Sequence, residues 1–169
     1  MKAGLKKFWN VFTTVLVVVV VILAVLLVGV RIVGYTPYAV LSPSMMPQYQ
    51  VGDLVYVKET AFEEIQTGDV ITFVADENLT LVTHRVVEVD DGNRTFYTQG
   101  DANDIRDGAP VLYENVVGVV RFSLPKLGYI SAYIATQSGR YVAIAAVAAL
   151  LLLTILPEFF KKEKKQENA

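Results

Sequence analysis

Three short stretches gather the residues able to do chemistry: Leu41-Ser42-Pro43-Ser44-Met45-Met46-Pro47, Thr83-His84-Arg85-Val86-Val87 and Gln99-Gly100-Asp101-Ala102-Asn103-Asp104-Ile105-Arg106-Asp107. Singly, each has a plain structural explanation. A serine between prolines is usually a turn residue, and a lone histidine in a strand is usually packed or solvated. Asp and Asn in a Gly-Asp-x-Asn loop usually bond the local backbone. Together the three supply complementary roles. A serine hydroxyl is a weak nucleophile until a base takes its proton, and a carboxylate must hold that base in one tautomer. The chain's one histidine, His84, stands between serine candidates upstream and aspartate candidates downstream. Prolines on either side of Ser44 favour a nonregular loop that presents Oγ and a backbone N–H to a carbonyl.

Composition removes the competing chemistries. There is no cysteine, which excludes disulfides, thiolate zinc sites and a cysteine nucleophile, and one histidine is too few for a multi-histidine metal site. No cofactor is implied. A net charge of −2 argues against nucleic acid as the main partner. With 53% hydrophobic and 19% charged residues in 169, the chain fits neither a disordered segment nor an ordinary soluble domain. It reads as a membrane protein with one compact polar part.

The elements that must position these residues fall in three segments. Lys2, Lys6 and Lys7 precede Phe8 to Val30, 23 residues without a charge; as a helix this run is roughly 34 Å long, enough to cross a bilayer core. It is too long for a cleavable leader, and Arg31-Ile32-Val33-Gly34 offers no small-x-small cleavage site, so it reads as an anchor. A second apolar run, Tyr141 to Leu156, ends at Pro157-Glu158 and the cluster Lys161, Lys162, Lys164 and Lys165. It reads as a second span. Residues 34–140 hold 7 Lys+Arg and 14 Asp+Glu, whereas the rest holds 8 Lys+Arg and 3 Asp+Glu. The positive-inside rule then puts both termini in the cytoplasm and the middle outside.

Within that middle the period changes to alternation. Val51–Lys58, Asp69–Ala75, Leu79–Val89, Thr95–Gln99 and Asn115–Phe122 carry β-branched or aromatic residues between turn formers, and Asp91-Gly92 marks a hairpin. The expected fold class is mainly β, a small barrel or coiled sheet between an N-terminal and a C-terminal transmembrane helix. The expected domains are 1–33 (cytoplasmic start and anchor), 34–140 (extracytoplasmic β domain) and 141–169 (second helix and basic cytoplasmic tail). Residues 124–139 read as a connection back to the membrane, and the apolar approach Tyr35–Leu41 places Ser44 close to the lipid interface.

With these residues in view, the chain resembles the type I signal peptidases. The resemblance rests on Ser44-Met45-x-Pro47 followed by Val51-Gly52-Asp53, then His84-Arg85-Val86, then Gly100-Asp101-x-Asn103 with Asp107. Order and spacing are those of the Ser–His branch, found in the endoplasmic reticulum complex, in archaea and in SipW-like enzymes. In the Ser–Lys branch a lysine would stand where His84 stands; Lys58 and Lys126 lie in unrelated contexts. The resemblance implies a serine endopeptidase that removes signal peptides after Ala-x-Ala-type sites, with Ser44 as nucleophile and His84 as general base. Asp107 matches the triad acid and Asp101 a second acid near the site. Ser42 matches a hydroxyl that joins the Ser44 N–H in an oxyanion hole. Met46 and Pro43 depart from the family's usual glutamate and glycine, and Asp104 matches no role.

The implied partners are secretory preproteins, the bilayer and other membrane subunits. The implied location is a cell membrane, or the endoplasmic reticulum membrane in a eukaryotic host, crossed more than once. One rival reading is a non-catalytic membrane-tethered β module that binds precursors or partner subunits. Another is a self-cleaving Ser–Lys repressor-type protease, which would need a DNA-binding helix pair and a catalytic lysine. Asn78-Leu79-Thr80 and Asn93-Arg94-Thr95 form sequons and read as loop residues.

Overall fold

A computed structural model describes the backbone of residues 3–166 and the side chains of residues 4 and 6–155. The side chains of Lys2, Phe159, Phe160, Lys161, Lys162, Lys164 and Lys165, on which part of the span and orientation reading rests, lie outside these. The chain forms two compact units, one of residues 29–132 and one of the terminal segments up to 28 and from 133.

The terminal unit contains helix α1 (Ala3–Leu27) and helix α3 (Gln137–Gln166). Their segments Lys6–Leu27 and Gln137–Ile155 are long and apolar enough to cross a membrane. Only 6% and 11% of their most apolar windows are buried by the rest of the chain, so most of this apolar surface is left to the surroundings. α1 stops three residues short of the apolar run's end, where Gly29–Val33 tightens into a 3-10 turn. α3 starts four residues before Tyr141. The reason is a cap: Thr136 Oγ1 accepts the Gly139 N–H at 3.0 Å, satisfying a free donor of the first turn.

The β unit is one antiparallel seven-stranded sheet in the order β1-β2-β7-β3-β4-β5-β6. Its strands are β1 (Tyr35–Ala39), β2 (Leu54–Lys58), β3 (Val70–Val74), β4 (Leu81–Asp90), β5 (Thr95–Gln99), β6 (Val111–Leu112) and β7 (Val116–Leu124). Five match the alternating segments read from the sequence. β1, β6 and the short helix α2 (Leu127–Ala135) do not figure in that reading.

Alternation in the central strands feeds two cores. Ile71 and Phe73 of β3 and Val119 of β7 pack with Phe62, Ile65, Val86, Phe96 and Val111. Their strand neighbours Val70 and Val120 pack with Met45, Tyr49, Val55 and Val57. β2 and β3 each bury four successive residues, so both faces are covered there and the alternation expected of these two segments is absent. Gly118 permits a close approach of β7 to β2, since a β-carbon there would strike the Lys58 carbonyl.

The loop between β1 and β2, which carries Ser44, is closed at its base. Val40 N–H donates to Asp53 O and Gly52 N–H to Val40 O, both at 2.9 Å. The buried Asp53 carboxylate latches it further, accepting the Gln50 N–H at 2.9 Å and the Lys126 N–H at 3.2 Å. Beside it the Tyr129 ring fills the space a side chain at Gly52 would need, and Tyr129 Oη donates to Val51 O at 3.0 Å. Gly52 (φ +92°) is thus doubly required, by its backbone angle and by the ring.

Candidate active site

Ser44 sits in a turn whose shape comes from its neighbours. Met46 N–H donates to Pro43 O at 3.0 Å and Tyr49 N–H to Met45 O at 2.9 Å. Met45 is 2% exposed and plugs the second core, so the residue after Ser44 anchors the turn. From the other side, Ala102 N–H donates to Ser44 O at 2.8 Å, tying the serine turn to the Gly100–Asp107 loop.

His84 stands on β4, paired with Ile71 of β3, and is 8% exposed. Its ring lies 6.5 Å from Phe73, edge to face. Nδ1 is 2.7 Å from Asp107 Oδ2, which leaves Nε2 without a hydrogen bond among the described residues. Gly100 separates that nitrogen from the serine turn. A β-carbon built on Gly100 would come 2.7 Å from Ser44 O, 2.8 Å from Asn103 Nδ2 and 3.0 Å from His84 Nε2.

The two aspartates have different partners. Asp101 makes a two-pronged ion pair with Arg85, at 2.8 Å from Nε and 2.6 Å from Nη2, while Arg85 Nη1 donates to Gly68 O at 2.7 Å. Hydrogen bonds donated to the Asp101 carboxylate hold the Arg85 guanidinium above its ordinary pKa. Asp107 Oδ2 accepts from His84 and also from Thr98 Oγ1, at 2.6 Å. Ser42 Oγ lies 3.2 Å from Ser44 Oγ. Among the described residues the Ser44 N–H has no partner.

The structure therefore brings together Ser42 with Ser44, His84 with Asp107, and Ser44 O with the loop that carries both aspartates. Asp101 lies in the same loop but serves Arg85. Lys58 Nζ stands over the Tyr35 ring at 5.7 Å, and Lys126 contributes its N–H to Asp53; neither bonds to Ser44 or His84. No cluster of potential metal ligands occurs among the described residues. Two contributors carry no role in the sequence reading: Arg85, present there only within the His84-Arg85-Val86 motif, and Thr98, for which a threonine in a strand gives no signal.

Ser44 Oγ bonds Ser42 Oγ, and among the described residues no hydrogen bond joins it to His84, whose own partner is Asp107. The family model described as signal peptidase, peptidase S26, matches residues 12–101. The chain is 50% identical to signal peptidase I W of Bacillus subtilis over 86 residues, 49% of this chain and 45% of that protein. It is 33% identical over 129 residues to the signal peptidase complex catalytic subunit of Eremothecium gossypii, covering 69% of this chain and 75% of that one. To the corresponding subunit of Rattus norvegicus it is 30% identical over 127 residues, 68% and 65% of the two chains. The chain belongs to the signal peptidase family, peptidase S26. It spans about half the length of the Bacillus relative (45%), and the family match stops before Asp107.

Proposed function

We propose that this chain is a membrane-bound serine endopeptidase that removes N-terminal signal peptides from secreted preproteins, cutting after small residues of the Ala-x-Ala type. The observation that carries this reading is the His84 Nδ1–Asp107 Oδ2 contact at 2.7 Å, with the opposite ring nitrogen turned toward Gly100 and the serine turn.

Ser44 Oγ attacks the scissile carbonyl carbon while His84 Nε2 takes its proton. Asp107 keeps the imidazole in the tautomer with hydrogen on Nδ1 and stabilises the imidazolium that forms. The Ser44 N–H and the Ser42 hydroxyl donate to the developing oxyanion. His84 returns its proton to the leaving amine, and water activated by the same nitrogen hydrolyses the acyl-enzyme. An extended substrate has an edge to join. The β4–β5 ladder begins at Arg85, so residues 81–84 pair with β3 alone among the described strands.

Both termini lie in the cytoplasm and the β unit outside, where secretory precursors emerge. The fungal and rat relatives carry the name of a catalytic subunit of a complex, and this chain too works beside other membrane subunits. The test is cleavage of a preprotein by purified wild type and Ser44→Ala in detergent. Wild type should release a mature chain starting just after a small residue, and the variant should release none. Equal cleavage by both overturns the reading.

A further inference from the structure

We propose that Thr98 is a positioning residue that fixes the Asp107 carboxylate for its work on His84. The inference rests on the Ser44–His84–Asp107 reading above. Asp107 lies in a loop whose residues 102–106 and 108–110 are all exposed, so the loop itself offers little packing to hold a carboxylate in one rotamer. Thr98 supplies the hold twice. Its carbonyl accepts the Asp107 N–H at 2.8 Å, and its hydroxyl donates to Asp107 Oδ2 at 2.6 Å. The oxygen that takes the Thr98 proton is the one facing His84 Nδ1. Rotation of the carboxylate would break both bonds at once.

Thr98 sits in a buried strand where Asp107 sits in an exposed loop. It is 0% exposed, on β5 opposite Val86 of β4, two residues from His84. The β4–β5 register shifts between Val86 and Glu88, a local irregularity beside the site of the kind that re-aims side chains. The β-branched side chain has few rotamers in a strand, so its hydroxyl direction is set by the backbone. A buried hydroxyl needs a partner, and the carboxylate is its hydrogen-bond acceptor.

The experiment compares Thr98→Val, which keeps the shape and removes the donor, with Thr98→Ser, which keeps the donor, in the full-length detergent-purified chain cleaving a preprotein. Loss of a hydrogen bond to a charged group predicts a fall of about 10- to 100-fold in kcat for Thr98→Val. KM should be unchanged, and Thr98→Ser should restore most of the loss. In an Asp107→Ala background, Thr98→Val should cost nothing further, because the group it positions is gone. If valine prevents accumulation of folded protein, Thr98→Ala takes its place in both backgrounds. A serine variant as impaired as the valine variant, or a Thr98→Val loss of equal size without Asp107, would assign Thr98 to packing and overturn the inference. An undiminished kcat in Thr98→Val overturns it as well. Failure of the underlying reading looks different: Asp107→Ala itself would keep full activity.

Discussion

Asp101 and Asp107 stand six residues apart in one loop, yet one holds a guanidinium and the other an imidazole. That division predicts two different losses. Asp107→Ala should reduce activity by up to about 10⁴-fold while the protein stays folded, since a histidine without its acid samples the wrong tautomer. Asp101→Ala should act through Arg85, whose charge loses its two-pronged acceptor; the cost is about 1–3 kcal/mol, read as a lower melting temperature. An Asp101 variant with unchanged melting and no activity would contradict that assignment. Lys58→Ala should leave cleavage intact, because its ammonium stands over Tyr35. Gly100→Ala should fold and cleave slowly, as the added methyl would displace Ser44 O and Asn103 Nδ2 and crowd His84 Nε2. Normal kcat in that variant would mean the site is looser than its distances. Much of this was legible from residue types, since one serine turn, one histidine and one acidic loop narrow the choices. Which acid meets His84 was not open to composition, because the loop's path, pinned by Ala102 N–H and Asp107 N–H, decides it.

Among the elements, the strands rich in β-branched and aromatic residues between turn formers were legible, including β2 and β3, which bury both faces, and the short or proline-containing ones were not. β1 contains Pro37 and continues the apolar character of the anchor, so no alternation marks it. Its place at the sheet edge explains why the proline is tolerated there. β6 has two residues, too few for any period. α2 mixes Gly128 and Ser131 with tyrosines, and its first turn is shaped by contact with Asp53 rather than by helix-forming residues. β2 begins at Leu54 rather than Val51 because Gly52 and Asp53 belong to the latch. In the proposed mechanism the element that matters most is the serine turn, held by a methionine in the core. Met45→Ala should cost about 2–5 kcal/mol in an unfolding titration. Activity should fall beyond the loss of folded protein, because Ser44 loses its anchor. Proportional losses of fold and activity would show that the turn keeps its shape without it.

For the whole molecule, the apolar helices and the acidic middle make a prediction about sides. Protease added to spheroplasts should cut within residues 34–140 and spare tags at both ends. A protected middle would reverse the proposed orientation, and a digested C-terminal tag would remove the second crossing. The Asp53 latch has a consequence in time. It closes on Lys126, 73 residues downstream, and chains are synthesised from the N-terminus. Ser44, His84 and Asp107 therefore all leave the ribosome before the segment that fastens the serine loop. A nascent chain holds its full set of reactive groups well before it holds the contact that completes their frame. The enzyme's birth and its competence are separate events, with the interval written into the chain order.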